Sequence, residues 1–426
     1  MDSVPTVSPS KEAKCVLLTG SMGDLGCHVL HCLARDPSVG SIFCVNILQP
    51  GDFLGISDHT SKTSQQNALS DAGIVIDHDD WAKIQFLELY TLDSFYETHQ
   101  FLDRHLQPSY ITRACESATH IIHLAWPDDF QRVSQIFRSH VLLVEKLLEL
   151  ILETQRNRPD VKIKMIFPSS IATVGRYPNN IGLHPRPRYP TKTEMYDLDY
   201  VECKWLGEQK VARTCPSGDL HQRKGYPDSP VETIVLRMGQ LSGPKETGVA
   251  WKTNGHIPTL LKVSQTIGAL PRLQGTMSWL PVDRAARSLL EILFHPGPLS
   301  EDERIIHFEN PVRHQSSDFI TIAAKELGIR ENAIIPLDEW LNKAAQAGCL
   351  DNFRAFHYEA FWFFNTGGRV VSTDPAQQLS PTLRESTGTS NDSIVQYIRR
   401  WKDIGFLDSA AKRDLNRPRR LKRWVV

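Results

Sequence analysis

Tyr200 and Lys204 stand four residues apart in DYVECKWLGEQK, and Ser170 closes the upstream stretch IKMIFPSS. A phenol, an ammonium and a hydroxyl are the groups that proton-coupled chemistry on a carbonyl requires. A free phenol titrates near ~10, too high for proton exchange at neutral pH. An ammonium one helical turn away favours the phenolate and lowers that value. Positions i and i+4 point from the same helix face. The Ser170 hydroxyl can donate to a carbonyl oxygen as negative charge develops there, and Tyr200 can then give that oxygen its proton. Lys204 can also hold the ribose of a cofactor. None of the other nine tyrosines has a lysine four residues on. Alone, the pair fits a surface helix face better than a site. Its place after a glycine loop and a serine at the end of a strand, in that chain order, turns the reading to catalysis.

The glycine loop is TGSMGDLG, residues 19–26, between the apolar run CVLLT and a helical pattern. Gly20 allows a tight turn out of the strand. Gly23 lets the backbone approach a pyrophosphate, and Gly26 lets helix and strand pack closely. The helix N-terminus then offers N–H groups and partial positive charge to the phosphates. A glycine triplet alone is a weak signal, but at a strand-to-helix junction that opens a βαβ series it is a strong one. Asp24 is discordant, because a carboxylate is unfavourable beside phosphate. It is expected to face solvent.

These groups need a frame. The runs 15–19, 41–46, 84–89, 119–125 and 163–170 read as buried strands, with helical spacing in 25–36, 92–106 and 137–155 between them. Such alternation predicts a Rossmann-like, doubly wound parallel α/β sheet, with ligands beyond the C-terminal strand ends. Residues 232–239 read as a sixth strand and 304–310 as a late strand returning to the sheet. From about 240 the pattern loosens into helices separated by Pro/Gly loops, which predicts a smaller, mostly helical C-terminal substrate lobe. The expected divisions are a disordered N-terminus over 1–13, a nucleotide-binding domain over 14–240, a substrate lobe over 241–408 interleaved with the main fold, and a basic tail over 409–426. The polar connection 48–80 is expected to be a surface insertion, with disorder over 1–12, 48–78 and 409–426.

The chain has 426 residues and a formal net charge of -1, a balance that suggests no nucleic-acid partner. Seven basic residues from Lys412 to Arg423 read as a solvated tail rather than a membrane or RNA contact. Eight scattered cysteines form no C-x-x-C pair and read as small buried hydrophobes in a reducing compartment, with no metal site. No leader-like or membrane-spanning apolar run is evident, so a cytoplasmic protein without membrane contact is expected.

Taken together, VLLTGSMGDLG, HIIHLAWPDDF, FPSSIATVG, YVECKWLGE, VLRMGQLSG, HIPTLLKVSQTIGALP and WLPVDRAARSLLEI resemble the extended short-chain dehydrogenase/reductases. More closely, they resemble the thioester reductase domains that end fungal non-ribosomal peptide synthetases and adenylate-forming (carboxylic acid and aminoadipate) reductases. The resemblance runs over about 14–408. It implies an NAD(P)H-dependent reductase of secondary metabolism, with NADPH expected ahead of NADH, that takes an acyl thioester on a phosphopantetheine arm or CoA to an aldehyde, sometimes on to an alcohol. It implies Ser170, Tyr200 and Lys204 as the catalytic set. The implied cofactor contacts are Gly20, Ser21, Gly23, Asp24, Leu25, Gly26, Glu88, Leu89, Ala125, Tyr200 and Lys204.

Three positions depart from the family pattern. Ile47 stands where an arginine usually pairs with the 2′-phosphate of NADPH, and an apolar residue cannot replace that partner. Glu88 replaces an aspartate and Leu124 an asparagine. The chain is too short for an adenylation domain beside this fold and shows no carrier-domain serine motif, so the carrier-bound substrate is expected in trans. Two other readings compete: an NAD-dependent epimerase, dehydratase or alcohol dehydrogenase-type enzyme on a small substrate, and a non-catalytic nucleotide-binding protein. Among lesser residues, His123 reads as packing and Trp126 as channel lining or sheet cover. Asp283 reads as a helix cap, Glu208 as a partner of Lys204 or a solvated charge, and 353–364 as lobe core.

Overall fold

A computed structural model describes residues 13–48, 61–90, 114–126, 134–177, 188, 190–195, 198–214, 231–300, 303–349 and 370–409. Seven strands form the main sheet: β1 (Lys14–Thr19), β2 (Val39–Leu48), β3 (Ile84–Tyr90), β4 (His120–His123), β5 (Ile163–Ser170), β6 (Val231–Met238) and β7 (Ile305–Phe308). Their order is β7-β6-β5-β4-β1-β2-β3, and every neighbouring pair is parallel. The doubly wound sheet expected from the alternating pattern is present. Its order reverses between β1 and β4, which opens a crevice at their C-terminal ends.

The period-2 geometry of strands explains the unbroken apolar runs, because both faces are covered. Leu17, Ile121, Met165, Phe167 and Val235 face one core with Val144, Leu148 and Ile151 of helix α3 (Ser134–Asn157) and Val211 of α4 (Asp199–Thr214). Their chain neighbours Val16, Leu18, Ile122, Ile166, Ile234 and Leu236 face the other core. There they meet Leu30 and Leu33 of α1 (Asp24–Arg35) and Leu289 and Ile292 of α6 (Val282–Leu293).

The connection between β2 and β3 corrects one expectation. Residues 61–71, assigned above to a disordered insertion, form helix α2 (Ser61–Asp71), with Ser61, Gln65 and Leu69 buried at successive turns. Two of those three are polar, so the apolar spacing that marks a helix face is missing from the sequence.

Beyond β6 a second core gathers Trp251, Leu260, Trp279, Phe319, Trp340 and Trp401. It draws on α5 (His256–Ile267), α7 (Ser316–Leu327), α8 (Leu337–Gln346) and α9 (Asn391–Asp403). Two of its buried indoles are paired: Trp340 Nε1 donates to Ser264 Oγ at 3.1 Å, and Trp401 Nε1 to Trp251 O at 2.6 Å. The chain interleaves, since α6 and β7 return to the first core. Asp283 is not the N-cap of α6. That position is Pro281, and the carboxylate accepts from the backbone N–H groups of Lys245 and Glu246, both at 2.9 Å. The helix expected over 92–106 and the aromatic stretch 353–364 lie outside the described residues.

Ile306 of β7 is wholly buried against α6 and β6. Ile306→Ala is expected to lower unfolding stability by about 2–5 kcal/mol, read as a lower urea midpoint with unchanged slope.

Candidate active site

The crevice floor is built from the first turn. Gly20 has φ +73°, and a Cβ there would lie 2.7 Å from Ala125 N beyond the end of β4. A Cβ on Gly26 would lie 2.0 Å from Gly20 O. These two glycines are demanded by the protein's own backbone. Gly23 differs, because its Cβ would meet only Gly20 O, at 3.3 Å. A side chain there would instead fill the space above the helix start. Gly23 is also the N-cap of α1 and supplies no side-chain cap, so the first-turn N–H groups face a cradle without a Cβ. The cradle fits a dinucleotide diphosphate.

Asp24 does not simply face solvent. Its Oδ1 lies 3.7 Å from Lys252 Nζ, so a lysine from beyond β6 offsets the carboxylate beside the phosphate cradle. Ser21 is fully buried, and its hydroxyl donates to Gln65 Oε1 at 2.6 Å. Gln65 Nε2 donates back to Ser21 O at 3.1 Å. The hydroxyl is therefore turned to α2, and a fully buried amide of the supposed insertion clamps the loop. Leu25 packs against the first core.

At the other wall, β4 stops at His123 because the chain must pass Gly20. Leu124 N donates to Thr19 O and Ala125 N to Thr19 Oγ1, both at 3.1 Å. His123 Nδ1 lies 2.9 Å from Thr19 Oγ1, and burial pushes its imidazole down to about 3, with His140 and Lys204 acting in the same direction. It is a neutral packing group. His140 Nδ1 donates to Ala125 O at 3.0 Å. Ile47 pairs with Leu89 and Asn46 with Glu88 at the end of β2 and β3, which puts these departures and expected contacts on one rim of the crevice.

Ser170 ends β5, nearly buried, with its Oγ accepting from Ala172 N at 3.2 Å. That bond caps a short 3-10 turn, Ile171–Val174. Lys204 Nζ donates to Pro168 O at 2.7 Å, two residues before Ser170. Tyr200 packs against the cluster of Ala172, Met195 and Val201, whose first member lies two residues after Ser170, and edge-on to Phe137 at 5.7 Å between ring centroids. The three residues singled out by type and spacing thus gather around the end of β5. The Lys204 ammonium lies 4.0 Å from the Trp126 ring centroid, 5.5 Å from that of Phe167 and 5.9 Å from that of Tyr200. Burial pushes it down to about 7, and the Glu208 carboxylate pulls the other way.

Glu208 is neither solvated nor bonded to Lys204. It is fully buried and takes Arg237 of β6 as a bidentate partner, with Nε at 3.0 Å and Nη2 at 2.8 Å. Lys252, Gln65 and Arg237 were not visible as site residues in the sequence. Only the arginine carried a signal, as a charge inside an apolar strand. Among the described residues, no three His, Cys, Asp or Glu side chains group to hold a metal, and no helix is long and apolar enough to cross a membrane.

Known proteins resemble this chain along nearly its whole length. The chain is 32% identical over 405 residues to an adenylate-forming reductase of Aspergillus terreus, covering 92% of the chain and 35% of that protein. It is 30% identical over 409 residues to the non-reducing polyketide synthase SAT8 of Stachybotrys chartarum, covering 94% of the chain and 14% of the synthase. The chain therefore spans only about a third of the first relative and about a seventh of the second. Among solved structures, the terminal R domain from the myxalamid PKS-NRPS biosynthetic pathway superposes with a TM-score of 0.68 at 18% identity, covering 94% of this chain and 93% of that one. No protein-family profile matches the chain. The chain is thus similar to part of an adenylate-forming reductase and to part of a polyketide synthase, and it has the fold of the myxalamid terminal R domain.

Gln65→Leu removes both of the hydrogen bonds that the amide makes to Ser21. It is expected to cost about 1–3 kcal/mol of stability and to weaken dinucleotide binding, measured by titration calorimetry.

Proposed function

We propose that the chain is an NADPH-dependent reductase of acyl thioesters that releases an aldehyde and a free thiol. The acyl group arrives on a phosphopantetheine arm or CoA, presented in trans. The observation that carries this reading is the gathering of Ser170, Tyr200 and Lys204 around the end of β5, beside the glycine cradle. Kinship with a reductase and with polyketide synthases, both far longer than this chain, supports a carrier-borne substrate.

The Gly23 cradle and the first turn of α1 would hold the diphosphate, and Lys204 the nicotinamide ribose. A bound nicotinamide supplies the hydride. Ser170 donates a hydrogen bond to the thioester oxygen and stabilises the charge that grows there. Tyr200 holds the proton that balances the reaction, and the nearby ammonium makes that proton easier to lose. The aromatic faces of Trp126 and Phe167 exclude water around the ammonium.

The test is oxidation of NADPH by purified protein with an acyl-pantetheine thioester, followed at the nicotinamide absorbance, with aldehyde trapped and counted. One aldehyde per NADPH supports the reading, and no turnover with thioester or aldehyde ends it. Tyr200→Phe is expected to lower kcat roughly 10²–10⁴-fold with little change in cofactor affinity. Side-by-side titration with NADPH and NADH tests the cofactor: tighter NADPH binding is expected, and binding of NADH alone refutes that preference. Lys204 works as an ammonium and loses its proton through about 7, so kcat/KM of the free enzyme is expected to fall as pH rises through that range.

A further inference from the structure

We propose that Glu208 is the positioning residue of the site: through Ser169, Thr173 and Arg237 it fixes the end of β5 against α4, and so sets where Ser170 stands relative to Tyr200 and Lys204. The inference rests on the reductase reading of those three residues and adds a fourth that touches no reacting atom.

Glu208 lies one turn beyond Lys204 on α4, as Lys204 lies one turn beyond Tyr200. Its Oε1 accepts from Ser169 Oγ at 2.5 Å, from Thr173 Oγ1 at 3.2 Å and from Arg237 Nε at 3.0 Å. Its Oε2 accepts from Arg237 Nη2 at 2.8 Å. Ser169 precedes Ser170, and Thr173 belongs to the turn that Ser170 caps; its single hydroxyl proton is shared between Glu208 Oε1 and the nearer Ser170 O, at 2.8 Å. The carboxylate therefore grips the chain on both sides of the catalytic serine. Ser169 is the register partner of Arg237, so the one carboxylate, from α4, ties β5 and β6 together at that level. Arg237 Nη1 continues the network to Tyr177 Oη at 3.3 Å, and that hydroxyl donates to Arg188 O at 2.6 Å.

A scaffold alone does not call for this arrangement. An ion pair with both side chains fully out of water gains little over apolar residues of equal volume. Here it gives one helix a fixed height against one strand end, and the four-residue spacing transmits that height to Lys204 and Tyr200. It also leaves a carboxylate near the ammonium. Among the described residues, the titratable groups around Lys204 are Tyr200 and Glu208 on its own helix, His123 on β4 and His140 on α3, with Arg237 of β6 behind Glu208. Glu208 is the anion that favours the charged lysine.

The experiment uses two double variants of the whole chain, because Arg237 alone would be stranded by loss of its partner. Glu208→Leu with Arg237→Met removes every tie while filling the space. It is expected to fold by circular dichroism, to bind NADPH within about twofold of wild type, and to lose roughly 10- to 100-fold in kcat. Glu208→Gln with Arg237→Met keeps an acceptor for Ser169 and Thr173 but no charge. It is expected to recover part of kcat, with the alkaline limb of the pH profile displaced to lower pH. A folded leucine–methionine variant with wild-type kcat and pH profile overturns the proposal. If that variant does not fold, the glutamine–methionine variant decides, and an unmoved alkaline limb overturns it. A third readout separates this idea from the reductase reading. The 13Cε resonance of Lys204, assigned by its loss in Lys204→Met, is titrated in the wild type and the glutamine–methionine variant. A lower midpoint in the variant is expected even if no thioester is turned over, and an unchanged midpoint counts against Glu208 alone.

Discussion

The crevice depends on one backbone contact, the packing of Gly20 against the turn that leaves β4. The sheet reverses its order between β1 and β4, and the chain must leave both strands there without collision. A carbon atom on Gly20 would strike Ala125, and one on Gly26 would strike Gly20 itself. With both absent, α1 starts directly over the strand ends and Thr19 can bind His123 and Ala125 across the seam. The phosphate cradle and the wall that carries Trp126 follow from that contact. Ala125 is joined from behind by His140, so the first turn of the nucleotide loop and the α3 side of the crevice are parts of one hydrogen-bonded arch.

Lys204 is the second constraint, and it works by charge. An ammonium taken out of water is costly unless its donors are met. One donor meets Pro168 O, and the aromatic faces of Trp126 and Phe167 offer further compensation. Those contacts fall short of full hydration, which is why burial draws its proton affinity down towards neutrality. A lysine in that state responds to small changes in nearby charge. A cofactor's negative groups would raise its affinity for the proton, while dry walls lower it. Fixing the distance between α4 and β5 therefore fixes electrostatics as well as geometry.

The strands were legible in the sequence because their signals are local. An apolar run buried on two faces, a glycine triplet at a strand end and a Tyr/Lys pair at helical spacing need no knowledge of distant residues. IKMIFPSS was readable to its last residue, and β5 does end at Ser170. The failures share one cause. Gln65 reaches Ser21 across forty-four positions, Lys252 reaches Asp24 from beyond β6, and Glu208 finds Arg237 on another element. In each case a polar side chain takes a partner that only the fold supplies, so local polarity pointed to solvent. SKTSQQNALSD misled most for that reason, since a helix that buries serine and glutamine shows no apolar stripe.

The lobe beyond β6 is tied to the nucleotide side by the same kind of contact. Asp283 of α6 holds the backbone of Lys245 and Glu246, and the segment that follows carries Lys252 to Asp24 at the start of α1. Helix α6 is itself packed against α1 in the first core. One end of this strap is therefore anchored to a buried helix, while the other sits over the phosphate cradle as an exposed ion pair. Exposed pairs contribute little to stability. The value of this one lies in neutralising a carboxylate that would otherwise repel a diphosphate. Since the strap is covalently continuous with the Trp251 core, the charge balance at the cradle is set by residues that fold with the second lobe. The charge balance at the glycine loop and the packing of the second lobe are therefore linked in this protein.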